Sequence, residues 1–159
     1  LKYILILGGY NMQTSSVNRR SARVFAMQLL YSMEITAGTA GECLPGVLDN
    51  SPNLNPNMKS YGMSLLDLVQ EHREELDNII TETSQSWDIN RMALVDVCVL
   101  RIALVEMLYK VDVPTKVVLT EAVQIAAKYS TEDSSSFING ILHHIAESRG
   151  FFQSSKENG

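Results

Sequence analysis

Three arginines near the start of the chain, Arg19, Arg20 and Arg23, fall where a helical pattern begins, so a helix would crowd them into its first turns. Cations there oppose the helix dipole, and the placement makes sense if an anion arrives. Open amides at a helix start and three planar guanidinium forks suit phosphates; the plain alternative is a solvated basic turn. Two further pairs, His72-x-x-Glu75 and His144-x-x-Glu147, set a histidine and a carboxylate one helical turn apart. Such spacing could hold a metal, but in residues this common it reads as solvated surface, and no metal or other cofactor is expected. Asp96, Arg101 and Glu106 interrupt an apolar run. They could form a buried catalytic cluster, yet charges in that setting more often pair with each other, with helix ends or with the rim of a core. The chain has no Gly-rich phosphate loop, no Gly-x-Ser-x-Gly and no cysteine with an evident histidine base. The chemistry on offer is binding, and no catalytic residue is expected.

Composition narrows the setting in which these residues work. At 159 residues, 45% hydrophobic and 19% charged, the chain is long enough to bury a stable interior and too apolar to be disordered. Its net charge of -5 is unevenly spread, with +3 on residues 1–36 and the balance of -8 on the rest. An acidic protein with one basic end has one place where polyanions could bind. Two cysteines, Cys43 and Cys98, make no disulfide framework and show no metal spacing, which suits a reducing, cytoplasmic compartment.

Helical period dominates the elements that must position these groups. From Val17 the apolar stripe is Ala22, Phe25, Ala26, Leu29 and Met33, with Ser15, Ser16 or Asn18 as candidate caps and Gly38 as the stop. Residues 37–59, rich in Gly, Pro, Asn and Asp, read as a long loop with a short helix over 44–48. Residues 60–84 read as one helix with Leu65, Val69, His72, Leu76, Ile79, Ile80 and Thr83 inward. Its acidic face, with Asp67, Glu71, Glu74, Glu75, Asp77 and Glu82, is a solvated surface or a seat for a basic protein, and repels nucleic acid. Residues 92–109 are apolar nearly all round, with Asp88 as the expected cap. Helices over 115–129 and 135–148 follow, the last capped by Asp133 or Ser134, with Gly140 marking a close helix crossing.

The 92–109 segment, about 27 Å long as a helix, has the length of a membrane span. Its three charges would cost on the order of 8 kcal/mol in a bilayer, while nine Leu, Ile and Val residues return about 3 to 5. It is therefore expected at the centre of a globular core, with no membrane involved. Residues 1–16 are expected to be a disordered or non-native extension, with Met12 as the natural start. Residues 17–149 form the helical domain and 150–159 a frayed tail.

Several segments resemble one family. Arg19-Arg20-Ser21-Ala22-Arg23 followed by Gln28-Leu29-Leu30-Tyr31-Ser32 resembles the opening helix of the NusB transcription antitermination factor family, and Leu100-Arg101-Ile102-Ala103-Leu104-Val105-Glu106-Met107-Leu108 resembles its central helix. Val113-Pro114-Thr115-Lys116-Val117-Val118-Leu119-Thr120-Glu121-Ala122-Val123 and Glu132-Asp133-Ser134-Ser135-Ser136-Phe137-Ile138-Asn139-Gly140-Ile141-Leu142 resemble the last two helices, in the family's order. The likeness runs from Arg19 to Glu147 and leaves residues 37–59 unmatched.

The resemblance implies an all-α, NusB-like fold: two three-helix subdomains packed around a central apolar helix. It implies binding to the boxA RNA of nascent ribosomal RNA transcripts together with NusE, a small-subunit ribosomal protein, within an RNA polymerase elongation complex. The RNA-binding residues it implies are Arg19, Arg20, Arg23, Gln28, Tyr31, Asp133 and Phe137, and a homodimer that buries the arginine-rich surface is one state it allows. Ser21 and Ser136 stand where relatives often carry Arg and Lys, so two positive charges are missing. Three phosphate contacts on a single strand give a salt exponent near about -2, and binding by the chain alone is expected to be weak. Two other readings keep the fold: a non-catalytic RNA-binding domain of the kind fused to RNA methyltransferases, and a helical protein-interaction adaptor. The first expects a Rossmann-type strand and Gly-rich turn after Glu147, where none follows.

Overall fold

The computed structural model describes residues 2–84 and 88–152, with side chains from Arg19 onward. Among the described residues the chain is helical throughout, without a strand: α1 (Lys2–Thr36), α2 (Ala40–Asp49), α3 (Pro56–Glu71), α4 (Arg73–Ser84), a single 3₁₀ turn (Ile89–Arg91), α5 (Leu94–Tyr109), α6 (Thr115–Tyr129) and α7 (Glu132–Ser148). Helix α1 runs unbroken through Val17, so Arg19, Arg20 and Arg23 lie inside a helix and not in its first turns, and the open amides expected beside them are not there. The side chains of the candidate caps Ser15, Ser16 and Asn18 lie outside the described residues. No described helix is long and apolar enough to cross a membrane.

The chain divides into two units, Leu1–Leu66 and Asp67–Gly159. In the first, α1 packs with α2. Its buried residues include Ala22, Phe25, Ala26, Leu29 and Leu30 on α1, Cys43 and Val47 on α2, and Leu65 and Leu66 on α3. Helix α1 ends one residue ahead of the expected glycine, because Ala37 itself takes the left-handed conformation (φ 54°), which costs a non-glycine residue about 1 to 2 kcal/mol.

Residues 37–59 are not a loop with one helical turn. Thr39 and Glu42 form a capping box that starts α2, and Cys43 and Val47, four apart, bury one face. This outweighs Pro45 and the glycines within the helix. The start of α3 follows the same logic: Asn55 Oδ1 accepts from the amide of Met58 at 2.9 Å, and Pro56 occupies the first helical position, where its missing N–H is no loss. A Cβ at Gly62 would stand 2.7 Å from Cδ1 of Phe25 and 2.8 Å from the carbonyl oxygen of Ala22, so only glycine lets α3 lie this close to α1.

The expected single helix over 60–84 is two helices, α3 and α4, separated at His72. In the second unit α5 packs against α4, α6 and α7, and every residue from Asp96 to Met107 is buried. Full burial of side chains such as Leu100 and Leu104 stabilises by about 1.5 to 3 kcal/mol each. Asp88 does not cap α5. It caps the 3₁₀ turn, accepting from Asn90, while Met92 and Ala93 take extended ψ values of 148° and 135° before the chain re-enters helix at Leu94.

Helix α7 starts earlier than expected. Thr131 is its cap, accepting from the amide of Ser134 at 3.1 Å, and leaves Glu132 and Asp133 in the first turn, where carboxylates favour the helix dipole. It stops in a Schellman motif, with Gly150 at φ 70° and the amides of Gly150 and Phe151 donating to Glu147 and Ala146. That motif holds the first residues of the expected tail. Gly140 marks no crossing: it is exposed, and a Cβ there would meet nothing within 4 Å.

Candidate functional site

Helix α1 carries the basic group, and its phase decides which members face outward. Arg20, Val24, Gln28 and Tyr31 recur at four, four and three residues, which puts them on one stripe. Arg20 and Tyr31 are exposed, and Val24 and Gln28 are half-buried. This stripe offers a cation, an amide and an aromatic ring within about 17 Å along the axis. Arg19 is half-buried, with its guanidinium carbon 5.3 Å from the centre of the Tyr61 ring, a cation–π contact that fixes the fork beside an aromatic.

Arg23 departs from the basic trio. Its phase places it between Met27 and Leu30, both buried, and it is itself only 4% exposed. It does not offer a free fork to solvent as the arginine-rich pattern suggests, because an arginine sunk into an apolar face is held by its surroundings.

Asp133 and Phe137 lie on the first turns of α7, in the second unit. They line a cleft of about 260 Å³ together with Arg91, Met92, Ala93, Asp96 and Ser134. The walls are largely apolar, Arg91 and Asp133 are exposed at its edge, and Phe137 is half-buried. Beneath them lies a chain of hydroxyls. Ser134 Oγ donates to Asp96 Oδ2 at 2.8 Å and receives contacts from Ser130 Oγ at 3.0 Å and Thr131 Oγ1 at 2.9 Å. Asp96 is 5% exposed, and its Oδ1 is buried without a hydrogen-bond partner. Residue spacing marked Asp96 as a charge inside an apolar helix, but nothing in it paired Asp96 with Ser134, which lies 38 positions away.

The other charges of α5 are tied down. Arg101 makes a bidentate pair with Asp77 of α4, Nε to Oδ1 at 2.8 Å and Nη2 to Oδ2 at 3.0 Å, which is scaffold and not a catalytic cluster. Glu106 is buried as well, at 1% exposure. At the far end of α5, Tyr109 donates to Glu75 Oε2 at 2.6 Å, and its ring stacks on His72 with centroids 4.1 Å apart. The hydrogen bond to Glu75, desolvation, and the charges of Glu75 and Glu71 hold the Tyr109 phenol above its ordinary pKa of 10.0. His72 and Glu75 are thus partners of a tyrosine. Among the described residues no group of three or more His, Cys, Asp or Glu side chains is gathered as a metal would require.

Comparison with known proteins adds a family to this geometry. The family model described as the NusB family matches residues 20–147. The transcription antitermination protein NusB of Geobacter sulfurreducens is 45% identical over 128 residues, covering 80% of this chain and 93% of that protein. Among solved structures, T. maritima NusB superposes with a TM-score of 0.75 at 30% identity, covering 85% of this chain and 96% of that one. A crystal structure of antitermination factors NusB and NusE in complex with dsRNA matches with a TM-score of 0.74 at 27% identity, covering 82% of this chain and 97% of that one.

Proposed function

The chain belongs to the NusB family, and from that premise we propose that it is a transcription antitermination factor that binds boxA RNA of nascent ribosomal RNA transcripts together with NusE, within a cytoplasmic RNA polymerase elongation complex. The observation that carries the RNA reading is the outward stripe of α1, where Arg20, Gln28 and Tyr31 join a phosphate-binding fork, a hydrogen-bonding amide and a stacking ring. Single-stranded RNA is recognised by that combination, since splayed bases stack while cations neutralise the backbone. The solved complex of NusB and NusE with RNA supports NusE and RNA as partners of this chain. No catalytic role is proposed.

The cation supply is small. Arg19 and Arg20 are the members of the basic trio that reach solvent, so the chain alone binds weakly and NusE supplies the remaining affinity. In the RNA-free state a homodimer covering the α1 stripe would compete with RNA, and added boxA RNA would shift it to monomer in sedimentation. The deciding measurement is the affinity for boxA RNA and for a scrambled RNA, with and without NusE. The expected result is a preference for boxA that sharpens when NusE is present. Equal affinity for both RNAs in both conditions would leave the fold and refute the function.

A further inference from the structure

We propose that the surface at the C-terminal end of α5, built on Tyr109 and Val111, docks an arginine-bearing apolar segment of a partner protein. This goes beyond the RNA and NusE reading: α5 is 16 residues long, so the surface stands about 24 Å from the helix start that borders the cleft. Tyr109, Val111 and Val117 are all large hydrophobic residues left exposed, and they fall on the last turn of α5, the turn after it and the first turn of α6. Val111 sits in a turn closed by the Val113 amide on the Lys110 carbonyl at 2.9 Å, and it is 91% exposed. A lone exposed aliphatic side chain is ordinary, whereas several beside a fixed aromatic ring make a contact surface.

Tyr109 is that ring. Its single hydroxyl proton goes to Glu75 Oε2 at 2.6 Å, so His72 Nδ1, 3.0 Å away, donates to the phenol oxygen. One face of the ring stacks on His72 and the residue is still 36% exposed, so the rest of the ring meets solvent in a fixed orientation. An aromatic held in advance loses little rotamer freedom on binding. After the hydrogen bond to Glu75 and desolvation, the charges of Glu75 and Glu71 hold the phenol proton, the mark of a negative field. Lys110 and Asp112 flank Val111 with opposite charges, and the exposed Lys116 is set off by the exposed Glu74. Phosphates are repelled from Glu71 and Glu75, and a cation is drawn to them. A guanidinium can lie flat on the phenol ring and donate through its fork to Glu75, whose contacts with Tyr109 and His72 both fall on Oε2 and leave Oε1 to the ligand. An ammonium brings the charge without the plane, so arginine fits better than lysine, and Val111 takes the apolar side chain beside it.

The probes are short capped peptides that alternate leucine with arginine, with lysine or with glutamate, titrated against the isotope-labelled full chain. The arginine peptide should shift the amide resonances of Glu75, Tyr109 and Val111 and bind about five-fold tighter than the lysine peptide, and the glutamate peptide should leave them unmoved. Glu75→Gln should weaken the arginine peptide by about five-fold and narrow its lead over lysine. Val111→Ser should weaken both basic peptides together and keep their ratio, a readout that survives if Glu75→Gln disturbs Tyr109, since a side chain this exposed holds nothing in the fold. Affinities for boxA RNA and NusE should be the same in Val111→Ser as in the wild type. Equal affinity for the arginine and lysine peptides overturns the proposal, as do shifts spread along the acidic face that miss Tyr109 and Val111. A surface that answers to a single-stranded RNA oligomer and not to the arginine peptide overturns it too. Loss of NusE binding in Val111→Ser assigns the surface to NusE and overturns it as a separate site, while the RNA reading stands or falls on its own measurement with boxA.

Discussion

At the scale of single residues, charge type and burial separate groups that look equivalent in a list. Arg19, Arg20 and Arg23 share a chemistry, yet only the first two reach solvent. Two phosphate contacts on a single strand give a salt exponent near about -1.4, shallower than the trio would give. Replacing Arg20 by Ala should weaken RNA binding and flatten that slope by about 0.7 while leaving the melting temperature unchanged. Arg23→Ala should do the reverse, costing about 1 to 3 kcal/mol of stability with the slope intact. Affinities measured across a salt series, beside urea melts, separate the two outcomes. Burial of Arg23 was legible in principle, since its phase between Met27 and Leu30 can be counted along the sequence. Partners far apart in the chain, such as Asp96 with Ser134 or Arg101 with Asp77, were not, because nothing local records a tertiary hydrogen bond.

Tyr109 makes a pH-dependent statement at the same scale. Its phenol titrates above the ordinary value of 10.0 in the folded protein, so the fold holds the proton more tightly than the unfolded chain does. The stabilisation is fully present below pH 10 and is lost as pH rises through the folded value. Glu75→Gln removes the charge behind the hydrogen bond, and stability above pH 10 should then fall less steeply than in wild type when followed by denaturant melts.

Elements obey their ends as much as their stripes. The apolar period located α1 beyond Val17, α5, α6 and α7, because 3.6-residue spacing is a strong signal over long segments. It failed over 37–59, where Gly41, Pro45 and Gly46 look like a loop while Thr39 and Glu42 cap a helix. It also ran α3 and α4 together through His72, since a break between helices in phase leaves the stripe intact. With so many weak formers in α2, its cap should matter, and Thr39→Ala is expected to cost about 1 kcal/mol. Gly140 makes the opposite case: exposed within α7 and touching nothing, it should yield about 0.5 to 1 kcal/mol of added stability on replacement by Ala. A close crossing at Gly140 would make that substitution destabilising, so the sign of the change in a thermal melt decides between them.

For the molecule as a whole, charge argues for a shared task. A net charge of -5 with two exposed or half-exposed arginines on α1 cannot draw RNA strongly from a distance, and the acidic α4 surface repels it. On the proposed function, specificity would rest on the α1 stripe and a partner, and not on bulk attraction. The division into two units has a further consequence through the cysteines. Cys43 lies in the first unit, on α2, and Cys98 in the second, on α5; both are buried thiols outside any disulfide, 9% and 0% exposed. A thiol reagent can reach each only when its surroundings open, so modification rates clock the local opening of the two units independently. Cys43 should react first and Cys98 at a rate approaching that of global unfolding, with each rate read by mass spectrometry of the labelled peptides. RNA and NusE, added in turn, would then reveal which unit each of them quiets.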